Sequence, residues 1–276
     1  MEKIYYVCLN LDNPIVAWEV CRGRIISCDK IEDKSFNPLS FWYVEYLRRI
    51  LSNTNTSKNE TKLEIFRQQY FPKEVSRLKG LYLFESLETA KQAKVDWDMQ
   101  GVIAEVILKN NEHITKVDAK WITENLPSLE ESDWMMKYWS GQQYNEFPHW
   151  ELIVSGELEI VDKKLIHEAY ENVAIKWPAS IPLLKLSIIA SVLESELGHI
   201  VPIILEEQIG ICEVTYIINM GDMNRSSFLQ KLDKYLADNE IAKFYESSAD
   251  FITPGLREYV FKFEFEDKES TSLIKI

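Results

Sequence analysis

Glu151 heads an apolar run, Leu152 to Val154, directly behind a stretch crowded with Trp134, Tyr138, Trp139, Tyr144, Phe147 and Trp150. A carboxylate fixed at a strand end beside a covering loop can stabilise positive charge that develops in a transition state. Upstream, Ser76 and Arg77 run into Gly80 to Phe84, a compact strand (GLYLF) that carries Tyr82. A guanidinium at this place suits a bidentate contact with phosphate, and a strand aromatic suits stacking on a planar ring. Each residue has a plainer alternative. Glu151 reads as an exposed strand-end acid, Tyr82 as a half-buried strand aromatic, and Arg77 as a surface ion-pair partner. The aromatic density over 134–150 suits either core packing or a loop facing a ligand or protein partner. His149, beside Trp150, reads as a structural histidine.

Several chemistries find no support. The chain has no P-loop, no G-x-G-x-x-G, no G-x-S-x-G and no H-E-x-x-H. Cys8, Cys21, Cys28 and Cys212 form no C-x-x-C pair and the histidines are scattered, so no metal site is expected and the cysteines read as reduced core residues. The apolar fraction, 46%, supports a substantial core. No run of about 18 apolar residues occurs, so no membrane span is expected. The start, MEKIYYVCLNLDN, lacks the pattern of a secretion signal, and a cytoplasmic location follows as an expectation. The net charge of −13 argues against a general polyanion binder. It is uneven: residues 43–79 carry +4 and residues 80–162 carry −10. The basic segment therefore either faces a phosphate-bearing ligand or forms a solvated helix face.

The elements that must position these residues follow from periodicity and punctuation. Strands are expected over 3–9, 24–28, 80–84 and 102–108, with one bulged strand or two strands over 151–161. Helical spacing covers 42–51 and 62–70, with SNTNTSKNET read as the loop between them. A helix starts at Ser86 as N-cap, and a short helical piece covers 122–126. After residue 162 the pattern turns helical, over 163–173 and 182–197. A strand at 212–219, a helix at 226–237 and a strand at 258–266 follow, and the last ten residues are expected to fray. The expected division is therefore 1–162 and a helix-rich α+β unit over 163–276.

The order of these features resembles the ADP-ribosyltransferase-like fold. KIYYV stands first, VSRLKGLYLFESLETAKQAKVDW with VIAEVIL second, and the aromatic loop ending at Glu151 before ELIVSGELEIV third. The resemblance covers residues 1–162. It implies an α+β split sheet with helices, NAD as substrate, and transfer of ADP-ribose to a protein or nucleic-acid target. Glu151 takes the place of the catalytic carboxylate. Tyr6, Ser76, Arg77 and Tyr82 take places around NAD, with Tyr82 stacking on nicotinamide and Arg77 meeting the pyrophosphate. The first strand departs from the family, with Tyr5-Tyr6 where His or Arg is usual. Two rivals share the fold: a non-catalytic binding protein using the aromatic loop as its interface, and an enzyme removing phosphate from RNA, which would favour a more basic surface.

Overall fold

The computed structural model describes residues 2–30, 36–50, 54–127, 133–208, 211–242 and 251–264. In chain order the elements are β1 (Ile4–Leu9), α1 (Pro14–Arg22), β2 (Arg24–Ile26), β3 (Asn37–Pro38), α2 (Phe41–Ile50) and α3 (Thr54–Tyr70). Then come β4 (Leu81–Leu83), α4 (Leu87–Asp96), β5 (Val102–Asp118), α5 (Lys120–Asn125), α6 (Trp134–Trp139) and β6 (Trp150–Ile160). The chain continues through α7 (Lys163–Lys176), α8 (Ile181–Val192), β7 (Ile200–Gln208), β8 (Ile211–Ile218), α9 (Ser226–Asp238) and β9 (Phe261–Glu264). The protein is a mixed α and β one with a curled antiparallel sheet.

That sheet runs β1-β5-β6-β2, with β4 lying beside β2 on the same edge of β6. Tyr6 bridges Phe84, so β4 also meets β1 and the sheet curls back on itself. The 17-residue β5 makes this possible by pairing with β1 through its first half and with β6 through a bulge between Lys109 and His113. Gly156 lies opposite the bulge. A Cβ there would stand 3.0 Å from the Asn111 backbone, so the close approach requires glycine. The irregularity expected within β6 thus belongs to its partner strand. A second sheet runs β3-β7-β8-β9.

One face of the curled sheet is apolar, with Val7, Leu9, Leu81, Leu83, Val106, Leu152, Val154 and Leu158 packed against α1, α7 and α8. Helix α1, absent from the sequence reading, is capped by Asn13, begins with Pro14 and stops at Gly23 in the left-handed region. All nine of its residues are buried, so it has no polar face to give a periodic signal. Its Glu19 accepts a hydrogen bond from the Ile200 N–H (2.9 Å), and Leu165, Leu184 and Ile200 share its apolar cluster. Apolar packing and a buried polar contact therefore run across residue 162.

The other face is built differently. Leu63, Val117, Trp134, Tyr138, Trp139 and Ile153 cluster there, joining α3 and α6 to the sheet. Three expectations change here. The segment read as a loop is helical from Thr54 onward, while residues 51–53 lie outside the described residues. Helix α3 buries Thr56, Asn59, Glu60, Leu63, Glu64 and Arg67, a helical spacing carried mostly by polar groups. The first part of the aromatic stretch is helix α6, with Trp134, Tyr138 and Trp139 in the core. Strand β7, which the sequence reading lacks, carries buried Ile200, Val201, Ile203 and Ile204. The expected fraying of the last ten residues concerns residues outside those described. Among the described residues, no single helix is long and apolar enough to cross a membrane.

Candidate functional site

Five elements converge on Arg77: α2, α3, β4, α6 and β6. Its Nε donates to Glu60 Oε1 of α3 at 2.8 Å, and its Nη1 donates to Tyr138 Oη of α6 at 2.9 Å. The same Nη1 lies 3.9 Å from Glu151 Oε2 at the start of β6. The ring centroids of Tyr46, Tyr82 and Tyr138 stand 5.7, 5.8 and 5.8 Å from the guanidinium carbon. The Tyr82 hydroxyl donates to the Arg77 carbonyl at 2.6 Å. The guanidinium is thus held in an aromatic cage between two carboxylates.

Glu151 is buried, 6% exposed, rather than the exposed acid expected. Burial pushes its acid up to about 7; Arg77 pulls the other way, and the charge of Glu60 adds to the rise. Burial works against the charge of Arg77, but Glu60 and the surrounding tyrosines outweigh it and hold the guanidinium firmly protonated. Burial likewise keeps the Tyr82 and Tyr138 hydroxyls protonated. The result is a fixed cation beside a carboxyl group that titrates near neutrality, a pattern common at functional sites.

Strand β4 pairs with β6 as far as Leu83 opposite Leu152, one residue before Glu151, and the next residue, Phe84, bridges Tyr6 of β1. Phe84 is also a wall of a cleft of about 290 Å³, lined further by Glu88, Thr89, Gln92 and Ala93 of α4 and by Pro148 and His149. His149 Nε2 lies 3.2 Å from Asp96 Oδ2, and its ring meets Trp97 edge-on at 6.2 Å. The loop before Glu151 is fixed from below by fully buried Asp118. One carboxylate oxygen accepts from the N–H groups of Lys120 (3.1 Å) and His149 (2.9 Å), the other from that of Tyr144 (2.8 Å).

The structure brings Arg77, Tyr82 and Glu151 together. Arg77 is enclosed by protein partners, and the ring of Tyr82 lies against its guanidinium. Ser76 is half-buried and caps a turn, its hydroxyl accepting from the Leu78 N–H at 3.2 Å. Tyr6 packs with Phe84, Ala90, Ala93 and Trp97 in a cluster of its own against α4. The aromatic stretch divides: Trp134, Tyr138 and Trp139 are core, while Phe147 is 74% exposed. Glu60, Tyr46 and Asp118 escaped the sequence reading. The signal for Glu60 was its helical spacing with Leu63, Glu64 and Arg67, visible only when periodicity is counted without regard to polarity.

The fold and site thus define a mixed α and β protein with a buried ionic cluster at one end of a curled antiparallel sheet. The chain belongs to the family described as Protein of unknown function (DUF2441), which matches residues 21–168, more than half of its length. That stretch contains Glu60, Arg77, Tyr82, Asp118, Tyr138, Glu151 and every residue of the cleft, but not β1 or β7 to β9. No curated protein matches the chain.

Proposed function

We propose that the protein is an ADP-ribosyltransferase-like enzyme that cleaves the nicotinamide–ribose bond of NAD and passes ADP-ribose to a protein or nucleic acid. The observation that carries this reading is the meeting of Arg77, Tyr82 and Glu151 at one end of the curled sheet. Nicotinamide leaves with the electrons of the broken C–N bond, and positive charge develops on the ribose C1 and ring oxygen, as in glycoside hydrolysis. The ionised Glu151 carboxylate lowers the energy of that charge more than that of the ground state. An acceptor nucleophile then bonds to C1 and loses its proton. Arg77 fixes Glu151 electrostatically, and the cleft beside Phe84 admits the substrate. Incubation with NAD and a cell lysate, reading released nicotinamide, tests the proposal. Turnover should fall at least ~100-fold in Glu151→Gln, the scale of losing a principal electrostatic stabiliser. Equal turnover in the two proteins would remove Glu151 from the reaction.

A second reading, a non-catalytic binding protein using the loop around Phe147, is favoured by the near-complete burial of Glu151 and by the engagement of Arg77 with Glu60 and Tyr138. Tyr6 also stands where the resemblance calls for His or Arg. A wild type that releases no nicotinamide with any lysate supports this second reading.

A further inference from the structure

Glu60 plays no part in the reading above, yet it is the closest charged partner of Arg77. It lies on α3, more than 70 residues before Glu151 in a helix with little apolar periodicity, and it is 1% exposed. Its Oε1 takes the Arg77 Nε hydrogen bond, while its Oε2 is buried with no hydrogen-bond partner. A buried acceptor left unpaired costs free energy. Glutamine could take the Nε hydrogen bond but not offset the buried charge of Arg77, so the carboxylate matters here as a charge beside the guanidinium.

We propose that Glu60 is a positioning residue for Glu151: it holds the Arg77 guanidinium by Nε, so that Nη1, which donates to Tyr138, stands 3.9 Å from Glu151. The proposal rests on the reading of Glu151 as the catalytic carboxylate. The groups facing Glu151 are Arg77 from the 71–80 connection, Glu60 from α3, Tyr138 from α6 and Tyr82 from β4, with Tyr43 and Tyr46 of α2 around Arg77 and Glu60. Of these, Arg77 alone favours ionised Glu151, and the charge of Glu60 opposes it. Burial is the larger cause of the raised Glu151 acid, and Glu60 adds to it by offsetting part of the pull of Arg77.

The test reads Glu151 directly. Protein carrying ¹³C-labelled glutamate is titrated by NMR, with the Glu151 signal assigned by its loss in Glu151→Gln. In Glu60→Gln the Glu151 midpoint should fall by about one pH unit or more, because a like charge is gone and the cation remains. Glu60→Asp, which keeps the charge, should restore much of the wild-type midpoint. An unchanged or higher midpoint in folded Glu60→Gln overturns the proposal. If that variant does not fold, Glu60→Gln combined with Arg77→Met decides instead. Compared with Arg77→Met alone, the double variant should have the lower midpoint, because the charge of Glu60 that opposes ionisation is gone, and equal midpoints overturn the proposal. NAD turnover is followed on the same samples. The acid limb of the wild-type pH profile should move with the NMR midpoint in Glu60→Gln. A shifted midpoint in a protein whose wild type releases no nicotinamide supports the coupling while removing the NAD reading.

Discussion

Replacing Glu151 by glutamine should stabilise the protein, and only above acidic pH. The Glu151 carboxyl titrates at about 7 against an ordinary 4.5. Between those values the folded protein keeps a proton that the unfolded chain releases. Stability therefore falls as pH rises from about 4.5 to about 7 and is level above that. The difference corresponds to roughly 3 kcal/mol at full extent, at ~1.4 kcal/mol for each tenfold change in proton affinity. Glutamine preserves the shape and removes the titration. Little direct bonding is lost, because Glu151 lies 3.9 Å from Arg77 Nη1. The wild type and Glu151→Gln should melt together near pH 5 and separate progressively up to pH 8. For a chain of this size each kcal/mol moves Tm by about 2–4 °C, so the glutamine variant should lead by roughly 6–12 °C at pH 8. Thermal melts of both proteins at pH 5, 6, 7 and 8 provide the measurement. A gap that stays constant across that range would refute the buried, raised carboxyl. So would a glutamine variant that becomes the less stable partner as pH rises. The exposed acid expected from sequence leads elsewhere, to a change below ~0.5 kcal/mol at every pH.

Three further outcomes follow from the same geometry. NAD turnover should rise through about pH 7 as Glu151 ionises and stay level above it; a flat profile from pH 5.5 to 8.5 would contradict the ionised carboxylate as the working form. Asp118→Ala leaves the N–H groups of Lys120, Tyr144 and His149 without their acceptor. It should cost about 1–3 kcal/mol and speed amide exchange at Tyr144 and His149, so unchanged exchange there would show that Asp118 does not anchor the loop. Glu19→Ala strands Arg22, whose Nη1 lies 2.5 Å from Glu19 Oε2 in a fully buried pair. Urea unfolding should then show a loss of about 3–5 kcal/mol, and a loss below ~1 kcal/mol would mean that water reaches the guanidinium.

The parts of the fold that follow an apolar period are legible in the sequence. KIYYVCL, GLYLF and VIAEVIL are strands because alternate residues enter the core, and Ser86 caps α4 by accepting from the Thr89 N–H at 3.1 Å. What escaped lacks such contrast. Helix α1 is buried on every side, so its sequence has no polar face to reveal its period. The first part of helix α3 has the period, but Thr56, Asn59 and Glu60 carry it, and a scan for apolar residues finds the helix only from residue 62. Within the site, Glu151 and Tyr82 were legible because they sit on strands with clear register. Glu60 was not, because its role depends on a contact with Arg77 across 17 residues of sequence that no local pattern encodes.

That contrast between the two faces of the curled sheet bears on why the site lies where it does. Against α1, α7 and α8 the sheet is lined by aliphatic side chains. Against α3 and α6 it buries Glu151 and Thr115 from its own strands and receives Glu60, Glu64, Arg67 and Arg77 from outside. Thr115 accepts from the Val75 N–H at 2.7 Å and donates to Glu74 at 2.7 Å, which fixes the connection that delivers Arg77. Arg67, paired with Glu64 of its own helix at 2.8 Å, holds the same connection through the Glu74 carbonyl at 2.7 Å. Each such group is costly to desolvate, and apolar residues of similar volume would often hold the layers together as well or better. Stability alone therefore gives no reason to place so many charges on one face. Their arrangement gives one: the network fixes the Glu74–Arg77 connection, the connection fixes the guanidinium, and the guanidinium faces Glu151, whose acid is pushed up to about 7. The family match of residues 21–168 takes in every member of that network. The apolar face serves as the platform, and the polar face holds the Arg77 charge in place beside Glu151.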